Sequence, residues 1–180
     1  MFIIAAILIK LDSKGPVFFR QERVGKNFKS FKMYKFRTMK NDAGGNGPMI
    51  TVGGDSRITR IGRFLRKHKI DELPQLFNVL KGEMSFVGPR PEVKEYVHLY
   101  KSDYKKLLSI RPGITDPASI QYSDEESHLS LSENWEEEYT KKILPEKINL
   151  SLRYIENHTI ITDLKLIVKT IFRTSKNTNP

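Results

Sequence analysis

The chain has 180 residues, 38% of them hydrophobic and 29% charged, enough apolar sequence for one domain with a core and too much for general disorder. It has no cysteine, and its histidines, His68, His98, His128 and His158, stand thirty residues apart; this excludes disulfide frameworks, Cys-ligated metals and a zinc site of short histidine spacing. The formal net charge of +10 is lopsided, since residues 1–90 carry 18 Lys/Arg against 7 Asp/Glu and residues 91–180 carry 13 against 14, which directs the first half towards nucleic acid, anionic lipid head groups or a phosphorylated substrate.

"MFIIAAILIK" opens on nine uncharged, mostly apolar residues. A membrane-spanning helix needs roughly 20, and no basic region precedes the run as in a secretory signal. Two readings stay open: a short buried helix, or the end of a membrane-inserted helix whose beginning lies outside the chain. Val17–Val24 and Phe28–Phe36 are rich in aromatic and β-branched residues around Gly25-Lys26-Asn27, which predicts a β-hairpin. The glycine-rich stretch 43–54 predicts a flexible loop of the kind that forms lids.

Residues 57–69 have helical periodicity. Ile58, Ile61, Phe64 and Leu65 share one arc, and Arg60, Arg63, Arg66, Lys67 and Lys69 take most of the rest. That pattern suits a basic amphipathic helix lying in a membrane interface, or a charged face over a protein core; Gly62 weakens it. Pro74 belongs in the first turn of the following helix. This predicts Asp71 near the N-cap, Glu72 in or beside the first turn, Leu76, Phe77, Val79 and Leu80 packed inward, and Gly82 as the stop. After the turn Gly88–Pro91, a helix is predicted from Pro91 to Leu108, ending at "RPGITDPAS". An acidic linker at 124–126 leads to three short helices, 132–144, 146–157 and 163–173, with Pro145 separating the first two and a disordered tail at the end. There is no internal repeat and no P-loop, Rossmann or kinase signature.

Asp71 as a simple helix cap would be an ordinary role, contributing about 0.5–2 kcal/mol. Its surroundings are less ordinary: Arg66, Lys67 and Lys69 lie just upstream, and Arg90 is held between Pro89 and Pro91. Cations and helix amides favour both an ionised carboxylate and a bound phosphate. A carboxylate to attack phosphorus or hold a metal, with arginines on the non-bridging oxygens, suits phosphoryl transfer. Pro-Arg-Pro also reads as a rigid surface turn, or as a turn whose stiffness lowers the entropy an arginine loses on gripping an anion.

Three blocks, "GPVFFRQERVGKNFKSFKMYKFRTM", "DSRITRIGRFLRKHKIDELPQLFNVLKGEMSFVGPRPE" and "RPGITDPAS", together resemble the bacterial sugar transferases of the monotopic phosphoglycosyl transferase family, nearly continuously from about Ile7 to Ser119. The resemblance implies transfer of a phospho-sugar from a UDP-sugar to undecaprenyl phosphate, releasing UMP, at the cytoplasmic face of the inner membrane, to start capsule, exopolysaccharide or glycoprotein glycan synthesis. It implies Asp71 as nucleophile, forming an aspartyl phospho-sugar and helping to bind Mg2+, with Glu72 in support. Arg66 and Arg90 match phosphate-binding positions, and Lys35 and Arg37 of "KFRTM" are weaker candidates for the same work. The "PGITDPAS" segment departs from the "PGITG" form of larger members and resembles a subset. Only the last part of the family's N-terminal membrane helix is present, Met1 to about Leu11.

The expected fold is therefore α+β and mostly helical. It has a short hairpin near the N-terminus, amphipathic membrane-interface helices and a remnant of a re-entrant membrane helix at residues 1–11. A single catalytic domain at 12–175 and a disordered tail at 176–180 follow. The expected partners are a UDP-sugar, undecaprenyl phosphate and a membrane surface with anionic lipids. Two other readings compete: a non-catalytic membrane-surface protein of the same fold, and a nucleic-acid-binding module using Phe18, Phe19, Phe28, Phe31, Tyr34 and Phe36 among basic residues. Nucleic acid is not the expected partner.

Overall fold

A computed structural model of the chain describes residues 1–40 and 55–176. The glycine-rich stretch expected to act as a lid, and the end of the expected disordered tail, lie outside the described residues. Helix α1 (Phe2–Asp12) leads into an antiparallel hairpin, β1 (Phe18–Val24) and β2 (Ser30–Phe36), with Phe18 opposite Phe36 and Val24 opposite Ser30. The hairpin predicted from the sequence is present with strands shorter by one or two residues. Its turn is a 3-10 turn, Lys26–Phe28, with Asn27 and Phe28 at positive φ. Phe31 and Phe36 are buried while Phe19 and Phe28 are exposed.

Helix α2 (Arg60–Lys67) is followed by a 3-10 turn, Ile70–Gln75, that runs directly into α3 (Leu76–Leu80). Next come β3 (Ser85–Val87), α4 (Lys94–Leu99), α5 (Lys101–Leu107) and β4 (Gly113–Thr115), with β3 and β4 paired in parallel. Helices α6 (Pro117–Gln121), α7 (Glu125–Leu129), α8 (Trp135–Glu138), α9 (Leu144–Asn157) and α10 (Ile160–Lys176) complete the described chain.

Several expected elements are redrawn. The helix predicted over 91–108 is broken at Tyr100, which leaves helical backbone geometry (φ −123°, ψ 42°) and donates its hydroxyl to Thr140 O at 2.8 Å. Pro145 does not separate two helices. The π turn Tyr139–Ile143 joins α8 to α9; its longer hydrogen-bond spacing lets the chain continue into a proline that has no N–H to give. The expected acidic linker at 124–126 is the start of α7. Leu129, fully buried, anchors it, and Glu125 and Glu126 suit its first turn.

The core has two main parts. One gathers Val97, Leu129, Tyr139 and Leu144 between the C-terminal helices. The other gathers Ala5 and Ile9 of α1, Phe36 of β2 and Leu65 of α2. Each such large side chain contributes about 1.5–3 kcal/mol on burial. Ile3, Ile4, Ile7 and Leu11 of α1 are exposed, so this helix is buried on one side only. No helix among the described residues is long and apolar enough to cross a membrane.

Two close approaches set the geometry around the site. A Cβ on Gly62 would stand 2.0 Å from Thr38 O, so Gly62 lets α2 cross the end of β2. The sequence suggested only that it weakens the helix. A Cβ on Gly113 would stand 2.2 Å from Gly88 N, which fixes glycine where β4 passes the turn before Arg90.

The segment 70–80 meets expectation only in part: Val79 packs against the buried Phe31, Met33 and Met84, but Phe77 and Leu80 do not turn inward. Its buried stripe is Asp71, Pro74, Gln75 and Asn78, while Phe77 is exposed and Leu80 is 83% exposed. Asn78 accounts for the orientation. It accepts from Tyr34 N (3.0 Å) and donates to Lys32 O (2.9 Å) and Glu83 Oε2 (2.7 Å), which ties the segment to β2. Phe77 turns outward into a ring cluster with Phe2, Phe18 and Tyr34.

Candidate active site

Lys69, at positive φ (54°), is the N-cap of the 3-10 turn, so Asp71 lies near the cap and shares the first turn with Glu72, as expected, while the simple capping role does not apply to Asp71. Asp71 is 6% exposed, and its Oδ1 is buried without a hydrogen-bond partner. Glu72, beside it, is fully engaged. It accepts from Lys35 Nζ at 2.9 Å and from Arg90 through both guanidinium nitrogens, Nη1 at 3.2 Å and Nη2 closer.

The two adjacent acids are thus driven apart. Burial, then the charge of Glu72, raises Asp71 from the ordinary 3.8 to about 6, against the opposing pull of Lys35, Arg66 and Lys69. Glu72 is also desolvated, but Arg90 and Lys35 outweigh that and hold its carboxyl well below the usual range. Glu72 in turn raises Arg90, and burial pushes the Lys35 ammonium down.

The Arg90 turn is clamped through its backbone. Pro89 O accepts from Gly113 N (3.0 Å), Pro91 O from Arg23 Nη1 (3.3 Å) and Glu92 O from Val24 N (2.9 Å). Arg66, in the last turn of α2, pairs through Nη2 with Glu126 of α7, and its Nη1 lies 3.5 Å from Thr38 Oγ1. The structure therefore brings Asp71, Glu72, Lys35 and Arg90 together, with Arg66 near enough for its charge to act on Asp71. It does not bring Arg37 there. The Arg37 guanidinium donates to Ile9 O (3.3 Å), Ser13 O (2.6 Å) and Lys14 O (3.1 Å), closing the C-terminal end of α1.

A model of the bacterial sugar transferase family matches residues 1–177. The chain belongs to the bacterial sugar transferase family. Over 176 residues, 95% of its length, the chain is 38% identical to the UDP-N-acetylgalactosamine-undecaprenyl-phosphate N-acetylgalactosaminephosphotransferase of Aeromonas hydrophila, of which it covers 38%. It is 36% identical over 174 residues to the UDP-glucose:undecaprenyl-phosphate glucose-1-phosphate transferase of Caulobacter vibrioides, covering 61% of it. It is 38% identical over 171 residues to the uncharacterized sugar transferase EpsL of Bacillus subtilis, covering 75% of it. The chain thus spans less than two thirds of the first two relatives.

Two features of the site have no counterpart in the expectations from sequence. Gln75, wholly buried, has no partner for either amide atom; it stands four residues after Asp71, a helical repeat that was available as a signal. Glu126 stands 60 residues from Arg66, and no sequence pattern pairs them. Among the described residues no three His, Cys, Asp or Glu side chains gather as a metal cluster. With both Glu72 oxygens engaged, the donor left for a cation is Asp71. One carboxylate, completed by substrate phosphates and water, fits Mg2+, which seldom takes an all-protein cage.

Proposed function

We propose that the chain transfers a phospho-sugar from a UDP-sugar to undecaprenyl phosphate and releases UMP. The observation that carries the reading is the pairing of a buried carboxylate oxygen lacking a partner, on Asp71, with a neighbouring acid held by two cations. An Asp71 oxygen attacks the phosphorus that bears the sugar. The bond from that phosphorus to the bridging oxygen breaks, and UMP leaves with the electron pair. An oxygen of undecaprenyl phosphate then attacks the same phosphorus, giving the sugar-diphosphate lipid and returning the Asp71 carboxylate. Arg66, Arg90 and Lys35 stabilise the non-bridging oxygens, and Glu72 holds Arg90 and Lys35 in place. Mg2+, held by Asp71, would neutralise diphosphate charge. Arg37 acts only through α1 in this scheme.

The proposed location is the cytoplasmic face of the membrane, supported by the exposed apolar side chains of α1, α3 and α10. The relatives' names include both N-acetylgalactosamine and glucose, so both UDP-sugars enter the test. The measurement is UMP release with undecaprenyl phosphate and Mg2+, together with mass spectrometry of the protein incubated with UDP-sugar alone. Turnover and a phospho-sugar adduct on Asp71 are expected. Wild-type turnover by Asp71→Asn would refute Asp71 as the nucleophile, and neither UMP release nor an adduct with any UDP-sugar would leave the non-catalytic surface protein.

A further inference from the structure

Helix α7 was an unremarkable acidic stretch in the sequence, yet its two first-turn acids point to different parts of the site. Glu126 pairs with Arg66 Nη2. Glu125 accepts from Lys147 Nζ of α9 at 2.7 Å. Lys147 stands 3.4 Å from the Tyr139 hydroxyl and over the Tyr139 ring, and that hydroxyl donates to Glu92 Oε1 at 2.9 Å. The other Glu92 oxygen takes Arg23 Nη1 and Val93 N, both at 3.2 Å. Glu92 is two residues beyond Arg90. One short helix, pinned by the buried Leu129, therefore reaches Arg66 directly and the Arg90 turn through a chain of buried polar contacts.

We infer that α7 is a brace that sets the two arginines of the site, with Glu126 a positioning residue for Arg66. The inference rests on the phosphate-gripping role proposed above for both arginines. Stability alone gives Glu126 little to do: its side chain is 47% exposed, and such pairs are worth little to folding. Orientation gives it more. Arginine presents its donors in a rigid plane on a long flexible stem, so fixing that plane beforehand reduces the freedom lost when an anion binds. Thr38 lies against one side of the guanidinium and Glu126 holds the other. The Arg66 side chain, 20% exposed, is already lodged where its charge acts on Asp71.

The test uses the 180-residue chain in detergent, with UDP as a diphosphate probe in the presence of Mg2+ and with UMP release from the UDP-sugar that turns over. Glu126→Ala is expected to weaken UDP binding about fivefold and to raise KM more than it lowers kcat, with the unfolding midpoint unchanged. Glu126→Gln, which keeps an acceptor, is expected to recover part of the affinity. In an Arg66→Ala background, Glu126→Ala should add nothing. Tighter UDP binding by Glu126→Ala would overturn the brace, because the carboxylate would then compete with phosphate for Arg66. Effects of the two substitutions that multiply would overturn it too, as would a lower unfolding midpoint with a matching loss of kcat. Wild-type UDP affinity in Arg66→Ala would remove the phosphate-grip reading itself. A loss from Arg66→Ala with none from Glu126→Ala would remove the brace alone.

Discussion

Asp71 and Glu72 are neighbours in sequence with opposite effects on folding. Asp71 is raised to about 6 from 3.8, so ionising it costs more in the folded chain than in the unfolded one. That cost is present above pH 6 and vanishes below about pH 4. Asp71→Asn is therefore expected to abolish turnover and, without Mg2+, to stabilise the fold at pH 7 by roughly 2–3 kcal/mol. Thermal melts at pH 7 and pH 4 check this: the gain should be absent at the lower pH. Glu72 is held well below 4.5, so its stabilisation is complete above 4.5 and is lost in acid as it protonates. Glu72→Ala leaves Arg90 and Lys35 without their carboxylate, and a loss of about 3 kcal/mol is expected in denaturant unfolding at pH 7. Without Mg2+ Asp71 should titrate near 6, and turnover with Mg2+ should have its acid limb below that, because a cation on the carboxylate favours the negative charge a nucleophile needs.

Segment 70–80 and α2 show how far an element's own pattern can mislead. Leu76, Phe77, Val79 and Leu80 look like a core face by spacing, and Val79 does pack inward; Phe77 and Leu80 do not, because Asn78 has partners on β2 that a solvent-facing asparagine would lack, and satisfying a buried amide decides the rotation. Leu80→Ser is expected to change folding stability by less than about 0.5 kcal/mol and to weaken vesicle binding in a co-sedimentation assay. Gly62 reads as a weak point in α2, where alanine ordinarily gains about 1 kcal/mol. With Thr38 O 2.0 Å from the would-be Cβ, Gly62→Ala is instead expected to destabilise by roughly 1–3 kcal/mol and to displace Arg66 along with α2. A lower urea midpoint together with a higher KM for the UDP-sugar would bear this out.

Across the whole molecule, large apolar side chains remain exposed on several elements: Ile4 and Ile7 on α1, Phe77 and Leu80 on α3, Phe86 on β3, and Leu164, Val168 and Phe172 on α10. Single exposed leucines are normal, but the membrane location proposed above would give these side chains an apolar phase to enter. Arg60, Arg63 and Lys67 of α2 are exposed as well, which adds attraction to anionic head groups. Binding to vesicles with anionic lipid is expected to weaken in high salt without disappearing, since apolar insertion is not screened. The pair Leu164→Asp and Val168→Asp should lower vesicle binding about tenfold or more while leaving the unfolding midpoint in place. Binding abolished by salt alone would show that charge, not apolar insertion, supplies the attraction.

The sequence by itself determined the hairpin, the extra positive charge of the first half, the adjacent acids and the stiff arginine turn. All of these depend on residues close along the chain, through turn chemistry, alternation and proline geometry. The order of the blocks was also enough to suggest the family. The tertiary structure alone decided which face of 70–80 is buried, that Arg37 closes α1, that α7 folds at all and that Glu126 meets Arg66. The fold of α7 turns on the burial of Leu129, and the other three turn on a polar group finding a partner across 24 or more residues; such partners leave no periodic trace in a sequence. The separation of Asp71 from Glu72 in acidity belongs to the same class: it comes from burial and from which carboxylate Arg90 reaches, and only the packed molecule sets either.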